Sequence, residues 1–431
     1  MQICYACIHK RGPVAQLDRA LRFERRGWEF KSLRVHHSAN PLHTPDRSST
    51  TNCWRCQPNP ATADCVLYNA KVKTWDVIIV GGGIIGLSLS IALHKRGVRV
   101  LVVERGEPGR EASHAAAGML TDCLVETPIA LQPLATASAR MYPEFVHELQ
   151  DESGTNVDLR DDGTLLFLPP EHACTPPGFD AETPLPAPLA DLEPALAGMN
   201  VPAVYLPAVH IKERSVDPRA LVAAALKAAK HRGVDISSGT TVTDILLSDG
   251  RVSGIRTDRT HYNAPCVVNC AGAWAGNFPA HGFPTRPVKG QMLAVACAQH
   301  NVLRHVIRAP EVYLVPRSDG RILIGSTLEE AGYDKRTDAD TIHRLHQAAI
   351  RLVPALEQAR ILEAWAGLRP GTPDDLPILG ATTTPGYFVA TGHFRDGILL
   401  TPVTAHVMAQ LITGAQPGFD ISAFSPTRFG N

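Results

Sequence analysis

A chain of 431 residues with 44% hydrophobic and 19% charged residues has room for two domains with substantial cores and the composition of an ordinary globular protein. Its 42 Lys+Arg balance its 42 Asp+Glu, yet residues 1–73 hold 12 of the bases and 5 of the acids, a net of +7 that leaves the remainder at −7. That mildly acidic remainder carries no basic stripe, which excludes a nucleic-acid partner.

Residues 1–73 show no sustained period of 2 or 3.6 and are expected to lie outside the fold. Two CxxC pairs, Cys4/Cys7 and Cys53/Cys56, have zinc-ligand spacing, but 45 residues separate them and neither has the turn-and-strand context of a zinc ribbon, so no metal is expected. The segment is basic like a mitochondrial presequence, yet it is too acidic and irregular for one, and it lacks the apolar core of a secretory signal. Residues 12–20 and 27–34 resemble the conceptual translation of DNA overlapping a transfer-RNA gene. The expectation is a misassigned start, with translation beginning near Val66, Leu67 or Val72 at a non-ATG codon, since no Met lies between Met1 and Met119. Cys65, Cys123, Cys174, Cys266, Cys270 and Cys297 have no ligand spacing and read as reduced thiols of a cytoplasmic protein.

The body opens on a strand, Trp75 to Val80, that runs into Gly81-Gly82-Gly83-Ile84-Ile85-Gly86. A helix over Ile84–Arg96 and a second apolar strand, Val98 to Val103, follow and end in Glu104. This is a βαβ dinucleotide-binding unit: Gly81 for the tight turn, Gly83 for backbone approach to a pyrophosphate, Gly86 for close helix packing. The pyrophosphate would sit at the helix N-terminus, where free N–H groups and the dipole favour negative charge. Glu104 stands 18 residues after Gly86, placed to take ribose hydroxyls, and it disfavours a 2′-phosphate. A membrane span over Trp75–Leu93 is rejected because three consecutive glycines and Asp76 interrupt it.

Next comes a small-residue run, Arg110 to Leu120, able to pass close to a flat ligand. Then follow a helix at Pro133–Gln150, a strand at Gly163–Leu168, and a Pro/Ala-rich link over 170–210 with a short helix near Asp191. Asp217 caps a helix, Pro218 to Arg232, that Gly233 ends. Strands are expected at Val234–Ser237, Thr241–Leu247 and Val252–Thr257, the last two joined by Asp249-Gly250. Val267 to Gly272 reads as a buried strand where the nucleotide fold resumes. Gly290–Val295, Val312–Pro316 and Arg321–Gly325 fit a mixed substrate-binding sheet. A helix at Asp340–Leu352 leads to Trp365-Ala366-Gly367-Leu368-Arg369-Pro370-Gly371-Thr372. The chain closes with a strand at Tyr387–Ala390, a glycine-rich turn and a helix at Ile398–Leu411.

The turn Ala390-Thr391-Gly392-His393-Phe394-Arg395-Asp396-Gly397-Ile398-Leu399-Leu400, taken with the N-terminal fingerprint, Pro287-Val288-Lys289-Gly290-Gln291 and Trp365 to Thr372, closely resembles the glycine oxidase branch of the D-amino acid oxidase family of flavoproteins. The likeness covers about residues 74–420, with every motif in the family's order. It implies an α/β protein: a Rossmann-like FAD-binding domain with an interleaved α+β substrate-binding domain whose mixed sheet is largely antiparallel. The expected partition gives 74–160, 212–280 and 362–420 to the first domain, and 161–211 and 281–361 to the second.

The resemblance implies FAD rather than NAD. It sets the adenosine at Glu104 and Arg105, the pyrophosphate at Gly83, Ile84, Ile85 and Gly86 beyond the Gly81 turn, and the ribityl chain and ring along Ala112, Ser113, Ala117, Gly118 and Met119. Val242 would meet the adenine end through its backbone. His393, Phe394, Arg395, Asp396, Gly397, Ile398 and Leu399 would bring a helix N-terminus to the pyrimidine side of the flavin, where reduced flavin carries negative charge. Arg369 matches the family arginine that pairs with the substrate carboxylate, as a guanidinium fork suits. Arg395 and Tyr313 match two more pocket positions, and Leu328 stands where the family can have methionine.

The implied activity is oxidative deamination of glycine and other small amines or D-amino acids to 2-oxo acid, ammonia and hydrogen peroxide, serving thiamine thiazole synthesis. The implied partners are a small amino acid and O2, without stable membrane insertion, in a homo-oligomer such as a homotetramer. The alternatives are a D-amino acid dehydrogenase passing electrons to quinone and a non-catalytic FAD-binding subunit.

Overall fold

The computed structural model describes residues 74–122, 127–167, 187–197, 199, 208–278, 282–299 and 301–430. Both CxxC pairs, the proposed alternative starts, and Cys65, Cys123 and Cys174 lie outside them. Residues Lys73–Asn431 form one compact unit built on two large sheets.

Thirteen strands make those sheets. In chain order they are β1 (Val77–Val80), β2 (Val100–Glu104), β3 (Thr164–Phe167), β4 (Ala208–Ile211), β5 (Asp235–Ser238), β6 (Cys266–Asn269), β7 (Arg286–Ala296), β8 (Val306–Arg308), β9 (Tyr313–Pro316), β10 (Arg321–Gly325), β11 (Arg360–Gly371), β12 (Ile378–Ala381) and β13 (Tyr387–Thr391). The principal helices are α1 (Ile84–His94), α2 (Gln132–Ser153), α3 (Pro218–His231), α4 (Ala339–Leu352) and α5 (Thr401–Ile412).

The first sheet has the order β12-β13-β6-β1-β2-β5 and is parallel except for β12. Its central strands are apolar on both faces because both are covered, as parallel strands require. Val77, Ile79, Val100 and Val102 face α1, α2, α3 and α5, while Ile78, Val80, Leu101 and Val103 face a three-stranded antiparallel sheet formed by residues 242–263. Asp217 caps α3 as its sequence implies, accepting from the N–H groups of Arg219 and Ala220 at 2.8 and 3.3 Å.

The second sheet has the order β11-β7-β10-β9-β8-β3-β4, antiparallel except between β8 and β3. Leu293, Val295, Leu314 and Ile324 turn to α4, and Met292, Ala294, Val315 and Leu323 turn to Ala117 and Met119. This second face, pressed on the small-residue run, becomes the wall of a cavity.

Three expectations change. Residues 365–371 belong to a 12-residue strand, β11, paired with β7 along its whole length, so the anticipated domain change at residue 362 falls inside a strand of the second sheet. The closing helix begins at Thr401 rather than Ile398, because Pro402 lacks an N–H and fits only in a first turn. Residues 397–400 form hydrogen-bonded turns instead, with Leu400 N–H donating to Asp396 C=O at 2.8 Å. The sequence also hid short strands, among them β4, β8 and β12.

Candidate active site

One cavity of about 810 Å³ runs from the turn after β1 to the face of the second sheet. At the turn, Gly81 has φ +112°, and a Cβ there would stand 2.7 Å from the Cys270 carbonyl carbon. Only glycine meets both conditions. A Cβ on Gly86 would collide with the carbonyl oxygen of Gly81, so its glycine lets α1 start hard against the turn. Gly83, Ile84 and Ile85 present the helix N-terminus to the cavity, and the Ile84 N–H donates to Ser113 Oγ at 3.0 Å.

Glu104 closes β2 with its carboxylate fixed by two backbone donors, Gly82 N–H at 2.8 Å and Gly106 N–H at 3.0 Å. Beside it Arg105 bonds Glu111 at 2.8 Å and lays its guanidinium 3.6 Å above the Trp274 ring. Trp274 stacks in turn on Tyr333. Val242 lines the same end.

The middle of the cavity is floored by residues 112–119, where small side chains let three segments meet. Gly118 has φ +77° and sits against Val216 and Pro218. Gly367 of β11 faces Ala115 so closely that a Cβ would collide with it, and Trp365 Nε1–H donates to Ala115 C=O at 3.1 Å. The buried guanidinium of Arg317 donates to Ala117 C=O; burial lowers its pKa to about 10, which leaves it a cation.

At the far end, Arg369 of β11 donates to Ser326 Oγ at 2.7 Å and to Thr327 C=O at 3.2 Å. Its guanidinium occupies the space above Gly290 of β7, where a Cβ would come within 2.6 Å of Cζ. Tyr313 likewise fills the space above Gly325, where a Cβ would meet its Oη at 2.7 Å. Two glycines on neighbouring strands therefore seat two cavity-lining side chains from other strands. Burial pushes the Arg369 pKa below the usual arginine value, Arg395 pushes the same way, and Tyr313 holds it up.

The turn after β13 carries His393 to Ile398 along the cavity. His393 is fully enclosed, its Nε2 3.1 Å from Thr404 Oγ1, and burial lowers its pKa to about 3, so the ring is neutral. Ser138 and Tyr142 of α2 donate to the carbonyls of Leu399 and Ile398, which fixes the turn from behind.

The structure brings together almost every residue the sequence singled out. Gly81, Gly83, Ile84, Ile85, Glu104, Arg105, Ala112, Ser113, Ala117, Gly118, Met119, Val242, Tyr313, Arg369 and His393 to Ile398 all line the cavity. Gly86 and Leu399 do not: Gly86 acts through packing, and Leu399 is buried among the helices because α5 starts late. Leu328 lines the cavity as well, 56% exposed. Sequence reasoning missed Trp274, Ser326, Thr327 and Arg308. The only signal for the middle pair was their position just past β10, and the other two are single residues of ordinary type.

A glycine turn at the head of a parallel sheet, a helix N-terminus, an acid after the second strand and a second sheet carrying a half-buried arginine define a two-part FAD oxidoreductase. The family model described as DAO, FAD dependent oxidoreductase, matches residues 76–411, and the chain belongs to that family. Its cofactor is FAD. The α1 N-terminus that faces the cavity and the small-residue floor fit such a group, the first offering backbone N–H groups to a diphosphate and the second leaving room along the cavity.

Among its relatives, the glycine oxidase of Pseudomonas putida is 33% identical over 364 residues, covering 81% of this chain and 98% of the relative. The bifunctional protein ThiO/ThiG of Trichormus variabilis is 36% identical over 370 residues, covering 83% of this chain and 55% of the relative, so the chain spans about half of that longer protein. The crystal structure of glycine oxidase from Geobacillus kaustophilus superposes with a TM-score of 0.75 at 33% identity, covering 82% of this chain and 99% of that one.

Proposed function

We propose that this chain is an FAD-dependent amino acid oxidase of the glycine oxidase type. It converts glycine and other small amines or D-amino acids, with O2 and water, to 2-oxo acid, ammonia and hydrogen peroxide, and it serves thiamine thiazole synthesis. One observation carries the reading: the Arg369 guanidinium, half-buried and held by Ser326 and Thr327, shares a cavity with the helix N-terminus of α1. A fixed guanidinium fork binds a carboxylate bidentately and sets one orientation of the amino acid.

When bound, FAD supplies a two-electron acceptor that O2 restores. The protein residues bind and orient. Gly83, Ile84 and Ile85 would hold the pyrophosphate, Glu104 the ribose, and residues 112–119 would lie along the flavin. The turn from His393 to Ile398 would flank the pyrimidine side, with His393 neutral there. Arg369 would take the substrate carboxylate, with Tyr313 and Arg395 beside it. The substrate amine enters neutral, loses its Cα hydrogen with two electrons to become an imine, and water hydrolyses the imine to ammonia and the oxo acid.

The same reading sets the enzyme in the cytoplasm as a homo-oligomer; among the described residues no helix is long and apolar enough to cross a membrane. Light scattering on the purified holoenzyme gives the assembly. Arg369→Ala should keep bound, yellow FAD and lose peroxide production from glycine, and unchanged kcat/KM in that variant would reject the assignment.

A further inference from the structure

Of the motif Pro287-Val288-Lys289-Gly290-Gln291, only Gly290 meets the cavity. Gly290 and Met292 line it, so Lys289 and Gln291, which alternate with them along β7, point from the opposite face of the sheet. Both are buried, at 5% and 1% exposure, and polar side chains so placed require partners. They share one carboxylate: Gln291 Nε2 donates to Glu329 Oε1 at 2.8 Å, and Lys289 Nζ lies 3.6 Å from Glu329 Oε2. The Glu329 backbone is laid against β7 as well, its N–H donating to Lys289 C=O and its C=O accepting from Lys289 N–H, both at 2.9 Å. Gln291 Oε1 accepts the N–H of Asp338 at 2.7 Å, and Asp338 caps α4 by accepting from Thr341 N–H.

This cluster reaches the cavity through Thr327. The Thr327 hydroxyl accepts from Gln291 N–H at 2.8 Å and donates to Glu329 Oε1, while its carbonyl accepts from Arg369 Nη1 at 3.2 Å. The two acceptors of the guanidinium, Thr327 C=O and Ser326 Oγ, are uncharged. The acid that fixes the seat therefore stands behind Thr327, with Lys289 beside it to balance its charge. Burial pushes the Glu329 carboxyl up, but the bonds from Thr327 and Gln291 and the Lys289 charge outweigh it and hold the group below the usual carboxylate value. A carboxylate in contact with Arg369 would compete with that of a substrate. One bonded to Thr327 instead holds the fork and leaves its face open.

We propose that Glu329, together with Gln291, is a positioning residue of the active site: acting through Thr327, it orients the Arg369 guanidinium and leaves its charge to the substrate. This rests on the glycine oxidase reading above and deepens it.

The test uses the FAD-loaded full chain, kinetics with glycine, and flavin absorbance titrations with acetate and with its uncharged isostere acetamide. Glu329→Ala should raise the KM for glycine and the Kd for acetate about 10-fold, the size of a lost charge-assisted hydrogen bond, with kcat changed less and acetamide affinity unchanged. Glu329→Gln, whose amide oxygen still accepts from Thr327 and Gln291, should recover most of the loss. Wild-type values in Glu329→Ala, equal losses for acetate and acetamide, or no recovery in Glu329→Gln overturn the positioning role. Should Glu329→Ala fail to fold, Thr327→Val removes the hydroxyl and keeps the carbonyl: acetate should again weaken about 10-fold, and wild-type acetate affinity overturns the proposal. A wild type that neither oxidises glycine nor binds acetate sinks the glycine reading itself, whereas one that does both, with Glu329→Ala unaltered, sinks only the role of Glu329.

Discussion

The seat of Arg369 gives the sharpest test of how the site is built. Replacing Gly290 by Ala adds a Cβ whose three nearest atoms are Nη1, Nη2 and Cζ of Arg369, with Cζ at 2.6 Å. All three belong to the end of one flexible side chain, and Gly290 is not among the positive-φ glycines, so the guanidinium yields and the strand does not. Displacement breaks the bonds to Ser326 and Thr327 and turns the fork away from the carboxylate it is proposed to bind. Losing one charge-assisted bond costs about 1.5–3 kcal/mol, or about 10- to 150-fold in kcat/KM. Peroxide-coupled kinetics with glycine should show that loss while bound FAD and the Tm change little. In a double-mutant cycle, Gly290→Ala should add almost nothing to Arg369→Ala, because the residue it displaces is already gone. Wild-type kcat/KM in Gly290→Ala, or full additivity in the cycle, would refute the reasoning.

Gly86→Ala should weaken FAD retention and lower the Tm although Gly86 lines no cavity, because its Cβ would strike backbone and overpacking costs about 1–3 kcal/mol; thermal melts with flavin fluorescence as readout check this. His393 is neutral when folded, with its pKa lowered to about 3 from 6.5, so the unfolded chain binds the extra proton and stability falls as pH drops from 6.5 toward 3. His393→Gln should flatten that acid limb in denaturant titrations, and an unchanged limb would count against the buried neutral ring. Glu213 has the opposite sign: its folded pKa is raised from 4.5 to about 7, so wild-type stability falls as pH climbs through that window. Glu213→Gln should match wild type at about pH 4 and exceed it at about pH 8, and a mutant less stable at both would show that the carboxylate is held ionised.

The first sheet was legible in the sequence because its signals are local. A strand buried on both faces reads as a continuous apolar run, Val77 to Val80, and the glycines after it are required by a positive φ and by contacts within a few residues or across to Cys270. The helix α3 announced itself through Asp217, Pro218 and Gly233. The second sheet was less readable. Residues 360–363 of β11 lie largely exposed at an edge and residues 365–371 mix Trp, Gly, Arg and Pro, so no alternation marks the strand. What makes it a strand is its pairing with β7, which no local pattern encodes.

The same difference separates the site residues that were found from those that were missed. Arg369 and Tyr313 came through the family resemblance, but the reasons they can occupy their places are Gly290 and Gly325, whose lack of a side chain matters only once β7, β9, β10 and β11 lie side by side. Trp274 means little until Arg105 covers one face and Tyr333 the other. In each case the place of a side chain depends on what a distant segment omits or supplies. Substitutions at Gly290 and Gly325 should therefore alter catalysis before stability, whereas those at Gly81 and Gly86, which meet backbone, should do the reverse.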